Sequence, residues 1–267
     1  MPFWTLYGLS RGLATTAWPN GTDTELQSGV LGLPDFHPDR CRENCRACVD
    51  ACLPKAIQPA PEHPGAITID YGRCISCQLC TELCPEGLFT PSHHWAFGVR
   101  DREDLKWAET LSSRPAEELK ATIQRSFGRS LHIRHVDAGS CNGCESELQA
   151  LNNPYYNLHR LGIFFTPSPR FADLLLVTGS VTYAMRESLL ETYNAMPEPR
   201  WVMATGTCAV SGGVTGGGYS CGHGVEELLP VDIYLPGCPP NPAAIIHALL
   251  LLLDRAKQRV HGGHHAD

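Results

Sequence analysis

The chain has 267 residues, of which 43% are hydrophobic and 18% charged, and its formal net charge is −7. This length is sufficient for about two globular domains with full cores. Because the net charge is negative and no basic run is interleaved with aromatic residues, the sequence argues against a nucleic-acid partner. The longest apolar run, Ala248 to Leu253, is far shorter than the ~20 residues that a membrane-spanning helix needs.

The 13 cysteines are the most unusual feature of the composition. The first residues lack the basic start and long apolar core of a secretory signal, so we expect a reducing compartment. In such a compartment, this many cysteines predict metal ligation rather than disulfides.

Residues 1–35 are predicted to form an apolar N-terminal arm. Phe3, Trp4, Leu6 and Tyr7 are apolar, and only Arg11 is charged before Asp23. Two interpretations are open: the arm lies on a membrane subunit or at the membrane interface, or it is a helix that folds back onto its own domain.

Residues 36–100 contain two similar cysteine runs, which predict an internal duplication. The second run, Cys74-x2-Cys77-x2-Cys80-x3-Cys84-Pro85, has the spacing of bacterial iron–sulfur ligands. The first run has one extra residue after its first cysteine, and Leu53 separates its last cysteine from Pro54; its members are Cys41, Cys45, Cys48 and Cys52. Zinc or disulfides are the alternatives for these eight cysteines.

This duplicated pattern resembles the two-cluster bacterial ferredoxins, an α+β fold, in which the fourth cysteine of each run binds the other cluster. The resemblance implies that one [4Fe-4S] cluster is held by Cys41, Cys45, Cys48 and Cys84. It implies that the other is held by Cys74, Cys77, Cys80 and Cys52.

The remainder of the chain predicts an α/β domain. Residues 101–129 are charged and are predicted to be a linker that packs against both domains. Residues 130–258 contain short apolar runs at 131–136, 163–166, 174–177 and 201–204. Helices are predicted at 183–196 and from Asn241-Pro242 onward, and the second of these has one apolar face. This alternation predicts an open, mainly parallel sheet with flanking helices, as in flavodoxin, with ligands at the carboxyl ends of the strands. Residues 259–267 are predicted to be a disordered, histidine-rich tail rather than a metal site.

Four further cysteines lie in glycine-rich segments that follow strand-like runs: Cys141, Cys144, Cys208 and Cys238. Four thiolates can hold one iron–sulfur cluster, and glycines allow the backbone to approach it closely. A structural zinc ion is the alternative. For Cys221 we expect a buried core thiol, with an extra cluster contact as the other possibility.

The segments CNGCE, TGTCAVSGG and PVDIYLPGCPPNP, within residues 130–256, resemble the cluster-bearing small subunit shared by respiratory complex I and the membrane-bound [NiFe] hydrogenases. The resemblance implies that Cys141, Cys144, Cys208 and Cys238 hold one [4Fe-4S] cluster. It makes Glu145 a candidate for a residue near the cluster or on a proton path; the alternative is a carboxylate that complements the helix dipole.

The spacing of the first two of these cysteines resembles the hydrogenase branch, specifically the complex I-related group 4 enzymes. The complex I subunit has two adjacent cysteines, whereas this chain has Cys141-Asn142-Gly143-Cys144. The N-terminal half resembles the ferredoxin-like subunit of the same complexes. Residues 11–19 (RGLATTAWP) resemble a segment of that subunit, and this segment lies along the membrane arm in the family.

The resemblance implies an electron-transfer subunit with three [4Fe-4S] clusters on the cytoplasmic face of a membrane. The expected partners are a [NiFe] large subunit that holds the catalytic metal, membrane-arm subunits that contact residues 1–35, and an external electron donor or acceptor. No phosphate-binding G-x-G-x-x-G segment for a nicotinamide or flavin follows a predicted strand. The alternatives are a complex I-like subunit of a quinone oxidoreductase and a free-standing soluble carrier.

Overall fold

The computed structural model describes residues 3–12, 32–42, 45–60, 66–109 and 130–266. Of the predicted N-terminal arm, residues 3–12, with helix α1 at Phe3–Arg11, and residues 32–35 are described; residues 13–31 lie outside the described residues. No residue of α1 is buried, and Phe3, Trp4 and Leu9 are 76%, 78% and 73% exposed. Helix α1 therefore does not fold back onto the described residues of its own domain, whereas Leu33, near the end of the arm, is buried in the core. No described helix combines the length and apolar character needed to cross a membrane.

The two cysteine runs form the same structure twice, as the predicted duplication requires. A short 3-10 helix precedes each run, at Pro38–Arg40 and at Tyr71–Arg73. The other elements of this half are β1 (Asp35–Phe36), α2 (Ala47–Ala51), β2 (Ile57–Pro59), β3 (Ile67–Ile69), α3 (Leu79–Leu83) and β4 (Phe89–Thr90). Strand β1 pairs with β4, and β2 pairs with β3, both antiparallel. The predicted α+β ferredoxin domain is confirmed.

The second half is a five-stranded parallel sheet flanked by helices. After a 3-10 helix at Arg102–Leu105, its elements are β5 (Leu131–Asp137), α4 (Gly143–Ala150), β6 (Ile163–Phe165), β7 (Leu174–Thr178), α5 (Arg186–Asn194), β8 (Trp201–Thr205), α6 (Thr207–Ser211), β9 (Ile233–Leu235) and α7 (Pro242–Leu252). Further 3-10 helices lie at Leu158–Leu161, Pro169–Phe171 and Val225–Glu227. The strand order β6-β5-β7-β8-β9 is that of flavodoxin, so the predicted sheet is confirmed.

Helix α7 is buried on every side, although the sequence predicted one apolar face. All 11 of its residues are buried, and the side chain of Asn241 caps its first turn by accepting from Ala244 N at 2.8 Å. One side of the helix packs on the sheet, and Trp95 and Ala96 from the first half lie in the same core cluster. A Cβ on Gly98 would come within 3.0 Å of Ala248 Cβ. The first half therefore covers the side of α7 that would otherwise meet water.

The prediction of a disordered tail is wrong for residues 260–265. Strands β10 (Val260–His261) and β11 (His264–His265) form a hairpin that packs on the segment leaving the first half. The backbone N–H of Gly263 donates to Asp104 O at 2.7 Å, and the rings of His94 and His265 stack with centroids 4.2 Å apart. These contacts order the tail. Its partners are far away in the sequence, so local composition did not predict them.

The two halves are also joined through the sheet itself. Val99 N donates to Tyr234 O at 2.9 Å, and Tyr234 N donates to Val99 O at 2.8 Å. Val99 thereby pairs antiparallel with the edge strand β9. Of the predicted linker, residues 101–109 are described, and the rest lies outside the described residues. The domain boundaries stay a prediction.

Candidate iron–sulfur centres

The structure brings the first predicted set of four thiols together in the N-terminal half. Cys41 and Cys45 lie in the loop before α2, Cys48 lies in α2, and Cys84 ends α3. They line one cavity, closed on its apolar side by Ile67, Leu83 and Leu88 among others. Burial and then the neighbouring Cys84 thiol raise the pKa of Cys48 to about 11. Because thiolates repel one another, four of them are stable together in this cavity only when positively charged metal binds them.

The second predicted set meets in an adjoining cavity. Cys74 and Cys77 precede α3, Cys80 lies in α3 and Cys52 ends α2, so the last cysteine of each run joins the other run. Burial raises the pKa values of Cys74 and Cys80 to about 12, and the Cys52 thiol contributes to both shifts. Backbone N–H groups oppose these shifts: Ser76 N–H at Cys74, and Thr81 N–H at Cys80. N–H groups aimed at sulfur are typical of iron–sulfur sites.

The third predicted set lies at one edge of the parallel sheet. Cys141 and Cys144 follow β5, Cys208 follows β8 within α6, and Cys238 follows β9. The carboxyl ends of parallel strands meet at the same edge, which is why loops far apart in sequence converge. Burial, then the Glu145 carboxylate and the other three thiols of the set, raise the pKa of Cys144 to about 12. Burial, then the thiols of Cys238, Cys141 and the nearby Cys221, raise the pKa of Cys208 to about 11.

Glycines bring the backbone against these thiols. Gly206 has φ +88° and ψ 152°, and a Cβ there would stand 2.6 Å from Cys144 Sγ. At Gly213, with φ +60°, a Cβ would stand 3.0 Å from Cys208 Sγ. At Gly143 the distance from such a Cβ to Cys141 Sγ would be an ordinary 3.5 Å. A cradle of four thiols lined by backbone rather than side chains fits a [4Fe-4S] cluster.

Within the described part of the chain, no three His, Cys, Asp or Glu side chains are close enough to hold a single metal ion. In a four-iron cluster each thiolate binds its own iron atom, so the thiols surround a volume rather than a point.

Glu145 lies in the first turn of α4 and belongs to a polar network between β5 and β7. Its carboxylate accepts hydrogen bonds from the hydroxyls of Thr178 and, at 2.7 Å, Ser140. His135 Nε2 is 3.7 Å from Glu145 Oε1 and 2.9 Å from Thr178 Oγ1. The position suits both interpretations, the helix-dipole charge and the residue near the cluster. The proton-path role stays a prediction.

Cys221 lies outside the three sets. It is 1% exposed, and its thiol donates to Thr215 O at 3.0 Å. A backbone bridge joins its segment to Thr182. This environment favours the interpretation as a core thiol.

Thr207 is a residue of the site that the sequence interpretation missed. Its hydroxyl contacts backbone groups of both halves, next to cysteines of the second and third sets. The only available signal was its position immediately before Cys208 in TGTCAVSGG.

Comparison with known proteins gives two family matches. Residues 141–252 match the family described as NADH ubiquinone oxidoreductase, 20 Kd subunit, and residues 40–88 match the 4Fe-4S dicluster domain.

Three curated relatives are similar to parts of the chain. The chain is 38% identical over 164 residues to "Formate hydrogenlyase subunit 7" of Escherichia coli K12, covering 61% of this chain and 64% of that protein. It is 45% identical over 128 residues to an uncharacterized protein of Methanocaldococcus jannaschii, covering 48% of this chain and 86% of that protein. It is 38% identical over 146 residues to "Probable membrane-bound hydrogenase subunit mbhJ" of Pyrococcus furiosus, covering 55% and 87%.

Proposed function

Because the chain belongs to the NADH ubiquinone oxidoreductase 20 kDa subunit family and carries a 4Fe-4S dicluster domain, we propose that it is the electron-transfer subunit of a membrane-bound hydrogenase. In this proposal three [4Fe-4S] clusters exchange single electrons between an external redox partner and the [NiFe] site of a partner subunit.

One observation carries the proposal: twelve of the 13 cysteines converge in three sets of four. The residues of this chain supply thiolate ligands, N–H groups that stabilise sulfur charge, and apolar walls that limit water. We assign the first cluster to Cys41, Cys45, Cys48 and Cys84, and the second to Cys74, Cys77, Cys80 and Cys52. We assign the third to Cys141, Cys144, Cys208 and Cys238.

The exposure of the third set supports its assignment as the cluster that faces the catalytic subunit. Cys141 and Cys238 are exposed, whereas Cys144 and Cys208 are half-buried. An open cluster edge is suited to a covering partner, because docking would exclude the water that tunes its potential. The hydrogenase relatives and the Cys-x-Gly-Cys spacing favour a [NiFe] large subunit over a quinone-linked partner.

We further propose a peripheral position on the cytoplasmic face of the membrane, and the exposed helix α1 supports the contact with the membrane or its subunits. Its aromatic and leucine side chains are left open to solvent in the isolated chain. An apolar surface of this kind marks a contact with protein or lipid. We assign residues 1–35 to the membrane-arm subunits, which argues against a free-standing carrier.

The test is anaerobic isolation of the complex from membranes through this chain, followed by metal analysis. Three clusters require about 12 iron atoms per copy of this chain. Co-purifying nickel supports the hydrogenase assignment, whereas full iron without nickel would move the assignment to the quinone-linked relative. Recovery of the chain without partners would favour the soluble carrier.

A pair of cysteine variants tests the ligand assignment. We expect Cys141→Ser to abolish proton reduction and to lose the third cluster, while the EPR signals of the two ferredoxin-type clusters remain. Cys221→Ala is the matched control, since it removes a thiol outside the three sets, and should retain about 12 iron atoms. Proton reduction at the wild-type rate in Cys141→Ser would contradict the proposed route.

A further inference from the structure

The hydroxyl of Thr207 is a buried junction between the two halves of the chain. Thr207 is 1% exposed and is the first residue of α6. Its Oγ1 donates to Cys74 O at 2.8 Å and accepts from Gly237 N at 3.1 Å. Cys74 belongs to the second set of thiols, and Gly237 immediately precedes Cys238 of the third set. Thr207 itself immediately precedes Cys208. A single hydroxyl therefore ties together three cysteine segments from two domains.

A threonine suits this junction better than other small residues. One hydroxyl offers a donor and an acceptor at the same point, which the carbonyl of Cys74 and the N–H of Gly237 both need. Its β-branched side chain restricts χ1, so the oxygen is held in one direction. Valine has the same shape but would leave both backbone groups without this partner in a buried position.

The contacts of α6 identify which ferredoxin-type set is the neighbour of the third set. Helix α6 packs on the 3-10 helix Tyr71–Arg73, which leads directly into Cys74. The path from Cys208 through Thr207 Oγ1 to Cys74 consists of covalent bonds and one hydrogen bond. Electron tunnelling slows steeply as the gap between two centres widens or loses its bonded bridge.

We propose that Thr207 is a positioning residue that fixes the second and third clusters relative to each other and thereby sets the rate of electron transfer between them. The proposal rests on the proposed function, because it requires clusters in both sets. It concerns a contact beside the cysteines themselves, in addition to the Val99 pairing and the α7 packing that join the two halves.

Two variants at Thr207 and one control separate this role from a general effect on folding. Thr207→Val removes the hydroxyl at nearly constant volume, and Thr207→Ser keeps it. Thr205→Val is the control: Thr205 is also fully buried at the end of β8, and its hydroxyl has no hydrogen-bond partner among the described residues.

The experiment uses the intact anaerobic complex and measures three quantities. These are iron per chain, the magnetic interaction between the second and third clusters by EPR, and the rate of electron transfer between them after flash reduction. We expect Thr207→Val to retain its iron, to weaken the magnetic interaction and to slow transfer roughly tenfold or more. Thr207→Ser and Thr205→Val should remain within about threefold of the wild type.

Transfer at the wild-type rate in an iron-replete Thr207→Val would overturn the proposal. If Thr207→Val does not accumulate, Thr207→Ser still decides the question, because a tenfold slower rate in a variant that keeps the hydroxyl would also overturn it. Failure of the proposed function is distinguishable, since the wild-type complex would then lack nickel or one of the two cluster signals.

Discussion

Gly206 offers the sharpest test of the third centre, because two separate physical costs oppose any side chain there. Its φ of +88° and ψ of 152° fall in a region that is essentially restricted to glycine. Placing alanine in that region costs about 1–3 kcal/mol of stability. In addition, the new Cβ would stand 2.6 Å from Cys144 Sγ, a distance at which the thiol must shift.

The matched control is Gly143→Ala in the same site. The structure gives Gly143 no positive φ, and its added Cβ would meet Cys141 Sγ at 3.5 Å, which is ordinary contact. We therefore expect Gly143→Ala to change the free energy of unfolding by no more than about 0.5 kcal/mol and to retain its iron.

The assay compares both variants after anaerobic loading with iron and sulfide, using iron per chain, the EPR signal of the third cluster and urea denaturation. We expect Gly206→Ala to lose about 1–3 kcal/mol from backbone strain and to lose or alter the third cluster, while the ferredoxin-type signals remain. Iron content and stability equal to those of Gly143→Ala would refute the reasoning.

Two further predictions follow from pairs of charged or titratable groups. The guanidinium of Arg102 donates two hydrogen bonds to the Asp70 carboxylate, at 2.8 and 2.6 Å, and both side chains are less than 20% exposed (13% and 17%). Arg102→Met should therefore lower the free energy of unfolding by about 3–5 kcal/mol, because it leaves the carboxylate of Asp70 without its cation. Adding Asp70→Asn should recover part of that loss in a double-mutant cycle. A loss below about 1 kcal/mol in the single variant would contradict this prediction. Burial lowers the pKa of His135 below its ordinary 6.5 and outweighs the raising effect of Glu145. The unfolded chain then takes up the proton first as pH falls, so stability present above pH 6.5 is lost below it. The unfolding midpoint should fall more steeply between about pH 7.5 and pH 5.5 in the wild type than in His135→Gln; equal slopes would refute the assignment.

The sequence predicted the features that depend on local spacing. Spacing identified the two cysteine runs, and the resemblance to two-cluster ferredoxins implied the exchange of Cys52 and Cys84 between them; the structure places these thiols together. Their ligation of clusters stays a prediction. Four of the five strands of the parallel sheet were predicted; β9 was not, because its residues lie within the motif PVDIYLPGCPPNP and were interpreted only as part of it.

What sequence reasoning missed depends on contacts between distant segments. Periodicity predicted one apolar face for α7, but Trp95 and Ala96 cover the other side. The tail composition predicted disorder, but Gly263 and His265 find partners between residues 94 and 104. The predicted helix at 183–196 is observed only over Arg186–Asn194, and Tyr183 ahead of it donates its N–H to Ser220 O, in a segment distant in sequence. No local pattern contains this information.

The pairing of Val99 with Tyr234 protects the edge strand β9 of the parallel sheet. An unpaired outer strand of a sheet is a template on which a second chain can add, and natural proteins protect such strands. Here the N-terminal half supplies that protection to β9, since Val99 occupies both backbone groups of Tyr234. In an organism that makes the halves as separate chains, the sheet-bearing chain would need its ferredoxin-like companion as a cover against self-association. Fusion provides that cover in every copy of the chain.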